Sequence, residues 1–205
     1  MSPWTAESIA TRSGYLTALR GFKLLAKVRY SPAILDNESA FTKFRGEAST
    51  FVGARILTDV LLDLRVSGER NWGRYPFFDA AFIGGAALPS GLDVNSSFGG
   101  GVLRGFDLNR FAGDSSIVGN AELRVALGKA NVFLPLRYGV LGLADTGRVF
   151  FAGESSSLWH YGVGGGVWLA LFATTPGAIL ALSLNACVVR SEENTSFYFS
   201  SGFGL

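Results

Sequence analysis

The chain has a single cysteine, Cys187, among 205 residues, which excludes a disulfide scaffold and leaves the redox compartment unreadable. Charge is also scarce: 17% of residues are Asp, Glu, Lys or Arg, against about a quarter in an ordinary soluble domain. The formal net charge is only +2 and no Lys/Arg block occurs, so the electrostatic footprint of a nucleic-acid binder is missing and no nucleic-acid partner is expected. An unbroken apolar helix is missing as well. Gly162 to Val189 carries no charged residue and is long enough to span a bilayer as a helix. It is interrupted, however, by Gly164-Gly165-Gly166 and by the turn signal Thr174-Thr175-Pro176-Gly177, which leave two pieces of strand length.

What is abundant is glycine (27 residues), aromatic side chains (13%) and apolar character without helical stripes, with a mean hydropathy of +0.30. The apolar residues alternate. Leu180, Leu182, Leu184, Ala186 and Val188 share one face of a strand, while Ala181, Ser183, Asn185 and Cys187 share the other. Apolar on one side and small or polar on the other, over about ten residues, is the pattern of a strand in a membrane barrel.

The same period recurs along the chain. Residues 1–13 show no periodicity and are expected to be a flexible lead-in, without the basic patch and apolar run of a secretory leader, so a mature form or a piece of something longer is expected. From Gly14 to Tyr30, Leu16, Ala18, Phe22, Leu24, Ala26, Val28 and Tyr30 share a face, with Arg20 the exception, and Lys23, Lys27 and Arg29 lie opposite. Lys43, Arg45, Glu47 and Ser49 oppose Phe44, Ala48, Thr50 and Val52. Asp59, Asp63, Arg65, Ser67 and Glu69 oppose Val60, Leu62, Leu64 and Val66. Mixed charges in lipid cost about 2–4 kcal/mol for each Lys or Arg at mid-membrane, so the charged side must face a lumen. Phe44, Leu62, Val125, Leu182 and Phe199 are therefore expected toward lipid, and Lys43, Asp63, Arg124, Asn185 and Tyr198 toward the lumen. Further strands are expected over 119–128, 131–151, 159–172 and 196–205, giving about eight in one antiparallel domain, 14–205.

Between Arg70 and Val118 the alternation fails over a length no ordinary hairpin needs. This inserted loop holds Arg104-Gly105-Phe106. Gly105 permits a bend other residues resist, so Arg104 and Phe106 are presented from a tight tip. A sheltered guanidinium requires an acidic partner.

Pro76-Phe77-Phe78-Asp79, Phe82-Ile83-Gly84-Gly85, Leu103-Arg104-Gly105-Phe106, Gly119-Asn120-Ala121-Glu122-Leu123-Arg124, Leu143-Ala144-Asp145-Thr146-Gly147 and the terminal stretch Phe197 to Leu205 occur in that order. In these motifs the chain resembles the carboxy-terminal barrel, or bacterial surface antigen, domain of the outer-membrane assembly superfamily that includes BamA, TamA and the two-partner-secretion transporters. The resemblance covers roughly Gly14 to Leu205. It implies a transmembrane β-barrel whose Arg104 tip folds inward onto Asp145 or Glu122 as a plug or strut. It also implies that Phe197, Phe199, Phe203 and Leu205 form the β-signal recognised during assembly. Two departures stand out: Ala86 to Gly101 separates the Gly-Gly pair from the Arg-Gly tip, and the terminal residue is Leu205 rather than an aromatic.

Family barrels have about sixteen strands, and a barrel of eight is filled by its own side chains. Eight strands with an inserted loop therefore imply half of a larger barrel, completed by upstream residues or by a second copy, since lipid tolerates no open edge. The implied role is protein insertion or translocation across the outer membrane of a Gram-negative bacterium or an organelle equivalent, with lipid and an unfolded or secreted polypeptide as partners. An alternative is an anchor or translocator for a fused enzyme, as in patatin-like phospholipases. A soluble β-barrel binding a small ligand would require the alternation reversed. Catalysis is not expected, nor are a cofactor or metal: His160 has no nucleophile placeable beside it, Cys187 reads as a small lumenal residue, and Arg65 turns Asp59 and Asp63 into an ion network.

Overall fold

The computed structural model describes residues 20–33, 39–86, 102–131, 133–151, 153, 158–175 and 178–204, with only the strand path for 172–175, 178–181 and 202–204. Among these residues the chain is all-β. The strands are β1 (Arg20–Ser31), β2 (Phe41–Arg55), β3 (Asp59–Gly73), β4 (Ala81–Ile83), β5 (Phe111–Gly113), β6 (Ser115–Asn131), β7 (Pro135–Phe150), β8 (His160–Thr175), β9 (Ala178–Ser191) and β10 (Thr195–Gly204). Eight of them form one antiparallel sheet in the order β1-β2-β3-β6-β7-β8-β9-β10, while β4 and β5 pair separately. Every neighbour in the large sheet is the next strand of that sheet in sequence, so the architecture is a run of hairpins with one insertion between β3 and β6. The sheet does not close into a barrel, and β1 and β10 are its edges.

Successive side chains of a strand point to opposite faces, and paired residues share a face. The register therefore sorts the side chains. Lys43, Asn71, Arg45, Glu69, Asp63, Glu122, Asn120 and Asp145 fall on one side, together with Cys187, Tyr198 and Asn185. Phe44, Leu62, Val125, Leu182 and Phe199 fall on the other. The insertion packs on the first face, called covered below. The second, bare face carries Phe22, Leu24, Val28, Tyr30, Val66, Tyr161, Val163, Val167, Phe197 and Phe199, each more than half exposed.

The strands are staggered in one direction. Ser115 pairs with Arg70, short of the end of β3; His160 pairs with Gly147, short of the end of β7; Ser191 pairs with Gly162, inside the start of β8. A stagger that accumulates one way is what tilted strands of a barrel wall require. Among the described residues the only register shift is a bulge between Ala126 and Gly128.

Two differences from the sequence reading concern the insertion. It spans 74–114, not 70–118, because β3 runs on to Gly73 and β6 begins at Ser115. Alternation is hidden there because Val118, apolar yet on the covered face, is buried with Ile83, Leu103 and Phe106 of the insertion. Leu141 and Leu143 likewise share the covered face with Asp145, with no bulge between them, and form a second cluster with Val189. The covered face is thus not uniformly polar: it has apolar floors beneath the insertion. Residues 1–13, and Leu205 of the expected β-signal, lie outside the described residues.

Candidate functional site

The insertion is tied down at two places. Its first part begins with Pro76, whose fixed φ leads into a single 3-10 turn at Phe77–Asp79. Asp79 forms an ion pair with Arg29 of β1. Its carbonyl accepts from Asn71 Nδ2 at 2.9 Å and from Lys43 Nζ at 3.3 Å, and Lys43 also reaches the Ala80 carbonyl. Lys43 in turn meets Glu69 at 3.1 Å, and Glu69 accepts from Arg45 at 3.0 Å.

Gly84 and Gly85 then turn the chain through positive φ (131° and 79°), and a Cβ on Gly84 would lie 2.5 Å from the Asp107 carbonyl oxygen. Only glycine fits so close a backbone approach. The Leu103 N–H donates to the Gly85 carbonyl at 3.0 Å. Gly85 and Leu103 are thus bridged, and the Gly-Gly pair and the Arg-Gly tip are neighbours in space.

The second anchor is the Arg104 tip. Arg104 Nε and Nη2 donate to the two Asp145 oxygens at 2.7 Å each, a bidentate fork, and the Arg104 backbone N–H donates to Asp145 Oδ2 at 3.0 Å. Nη1 donates to Glu122 Oε2 at 2.9 Å, and Glu122 also accepts from Arg124 at 2.7 Å. The Asp145 side chain has no exposure and that of Arg104 is 15% exposed. Burial alone would lower the guanidinium's pKa, but the carboxylates of Asp145 and Glu122 hold it above its ordinary value. Charge-assisted, paired geometry of this kind is about twice as strong as a neutral hydrogen bond.

Gly105 adopts φ 96°, its N–H donates to the Tyr198 hydroxyl oxygen at 2.8 Å, and its carbonyl accepts from Ser191 Oγ at 2.7 Å. Phe106 is 2% exposed and meets Phe111 and His160 edge-on, while His160 stacks on Phe111 with centroids 3.8 Å apart. Asn120 Nδ2 donates to the Val102 carbonyl at 2.9 Å. On β8, Gly162 leaves room for the tip, since a Cβ there would fall 2.1 Å from the Arg104 carbonyl oxygen.

The structure thus brings Arg104, Gly105, Phe106, Asp145 and Glu122 together. It does not bring Phe197 or Phe199 there: both project from the bare face, 81% and 72% exposed, and Phe203 is described only by its strand path. Sequence reasoning missed Tyr198, Ser191 and Gly162 as holders of the tip. Gly162, Gly164 and Gly166 falling on one face was the available signal for a close backbone approach; for Tyr198 and Ser191 there was none. Asp59 is engaged by Arg137 and Arg55, and His160 by Glu192 at 3.4 Å. Beside the tip lies a cavity of about 350 Å³, lined by Asp63, Arg65, Glu122, Arg124, Asn185 and Cys187 among others. In chemical terms the arrangement is a clamp: it fixes a loop against a wall.

No protein-family model, no curated protein and no solved structure matches the chain.

Proposed function

We propose that this chain is a wall of an outer-membrane β-barrel of the assembly superfamily, serving insertion or translocation of polypeptides, with the Arg104 tip as a lumenal strut. The observation that carries the reading is the inversion of polarity across the sheet. Every carboxylate on a strand of the large sheet lies on the covered face, whereas the bare face carries exposed Phe, Tyr, Leu and Val and no carboxylate. A soluble sheet does the reverse, and a monomeric soluble protein rarely exposes an apolar patch above a few hundred Å². Lipid accounts for such a face, and strands are able to cross lipid only when every backbone group is paired.

Two edge strands must therefore find partners, from a second copy or from strands upstream. β1 and β10 run in opposite directions, because an even number of antiparallel strands separates them. A second half-barrel can close head to tail on the same axis, with both loops entering one lumen.

The test uses single cysteines at Phe44, Leu62, Asp63 and Asn185 in a Cys187→Ser background, reconstituted in liposomes. A small membrane-impermeant thiol reagent is expected to label the Asp63 and Asn185 positions and spare the other two. Labelling of the Phe44 and Leu62 positions with equal ease overturns the membrane reading. The transport role is read separately, from insertion of an unfolded outer-membrane polypeptide into the same liposomes with intact chain and with Arg104→Ala. Equal rates overturn the strut.

A further inference from the structure

The ionised side chains that β3, β7 and β9 place on the bare face are all arginines: Arg70, Arg148 and Arg190. They sit near the end of each strand that leads to the insertion side: Arg70 just before Gly73, Arg148 before Phe150, Arg190 before Ser191. These are alternate strands of one sheet, so neighbours in the series are about 10 Å apart across the strands. The one-way stagger keeps all three close to the same rim.

Their partners set them apart from the arginines of the covered face. On the covered face Arg29, Arg45, Arg65, Arg104, Arg124 and Arg137 each meet a carboxylate. Among the described residues, Arg70, Arg148 and Arg190 meet none. Arg70 lies over the Trp72 ring at 5.2 Å, Arg148 over Phe150 at 4.5 Å, and Arg190 Nη1 donates to Thr195 Oγ1 at 2.8 Å. Arg148 Nε is out of solvent without an acceptor. The acids of the adjoining turn, Glu192 and Glu193, are taken by His160 and Arg110. Tyr30, Trp72, Phe150 and Tyr161 are exposed at the same rim, as aromatic residues are at a membrane–water interface. A guanidinium laid on an aromatic ring keeps its hydrogen-bonding edge free, and that edge matches a phosphate in bidentate fashion.

We propose that Arg70, Arg148 and Arg190 form a belt that binds the phosphate groups of anionic membrane lipids at the insertion-side rim. The proposal rests on the reading that the bare face meets lipid. The belt orders anionic headgroups against the wall and sets the height of the chain in the bilayer.

The experiment reconstitutes the chain in phosphatidylcholine bilayers with and without phosphatidic acid and counts bound lipid by native mass spectrometry. Preferential retention of phosphatidic acid is expected, with on the order of a hundredfold loss of preference in the triple variant Arg70→Gln, Arg148→Gln, Arg190→Gln. The triple Lys variant restores part of it, and Lys23→Gln, an exposed cation of the covered face, leaves it unchanged. Retention that survives the triple Gln variant, or no preference at all in an inserted chain, overturns the belt. Competition by millimolar inorganic phosphate shows a free-anion site instead and also overturns it. Failure to enter any bilayer overturns the membrane reading, and the two failures are told apart by whether the chain inserts.

Discussion

The two anchors of the insertion have opposite chemistry. At the first the loop offers an acid and two carbonyls, and the sheet answers with Arg29 and Lys43. At the second the loop offers a cation, and the sheet answers with Asp145 and Glu122. They also differ in depth. Arg29 and Asp79 are 31% and 15% exposed, so water screens that pair, whereas the Asp145 side chain is fully enclosed. A charge enclosed with its partner is costly to leave alone, while a partly wet one is not. The comparison makes the ion pair at the tip the costlier one to break, although both anchors contain an ion pair on paper.

The sharpest way to break this difference is at Arg104. Arg104→Ala strands the enclosed Asp145 carboxylate and is expected to cost about 3–5 kcal/mol of loop docking, read as protease cleavage between 77 and 113 with the sheet intact by heat-modifiable migration. Arg104→Lys keeps the charge without the fork and is expected to rescue poorly. Next is Gly162→Ala, which places a methyl 2.1 Å from the Arg104 carbonyl oxygen. It is expected to push the tip off β8 at a cost of about 1–3 kcal/mol, visible as faster hydrogen exchange at Arg104 and Gly105 with no change around Asp79. Asp79→Ala removes only the wetter pair, worth about 1 kcal/mol or less, and exchange is expected to rise over 77–83 alone. Should Asp79→Ala release the tip as fully as Arg104→Ala, the ranking of the anchors is wrong.

The smallest effect is one of pH. Partial burial, together with a hydrogen bond to Asp114, pushes the Tyr75 phenol up to about 12. The folded state therefore favours the protonated phenol. Its contribution is complete below pH 10, the unfolded value, and is lost as pH rises through about 12. A Tyr75→Phe variant is expected to lack this step in a titration of loop protection, leaving the Arg104 anchor unaffected over the same range.

Much of this was legible in the sequence because period two is a local property. The alternation of Lys43, Arg45 and Glu47 with Phe44 and Ala48 needs only the pleat to determine which residues share a face, and one face each for charge and hydrocarbon follows. The Arg104 tip was legible because an arginine beside a glycine in a long insertion must find an acid if it is sheltered. The parity of Glu122 with Asn120 and Arg124 put that acid on the same face as the other charges. What the pattern hid are the positions where another segment changes the environment of a strand. Val118 breaks the polar face because Ile83, Leu103 and Phe106 of the insertion bury it there, and so the end of the insertion was misplaced. Tyr198 and Ser191 hold the tip from strands far along the chain, and no local signal marks a hydroxyl whose partner is a backbone group of another loop. The sequence by itself determined the strands, their two faces and the charge that must be answered. Only the tertiary structure decided how deeply it is answered and through which glycine the tip gains its place, because those depend on register between strands and on the space left where they meet.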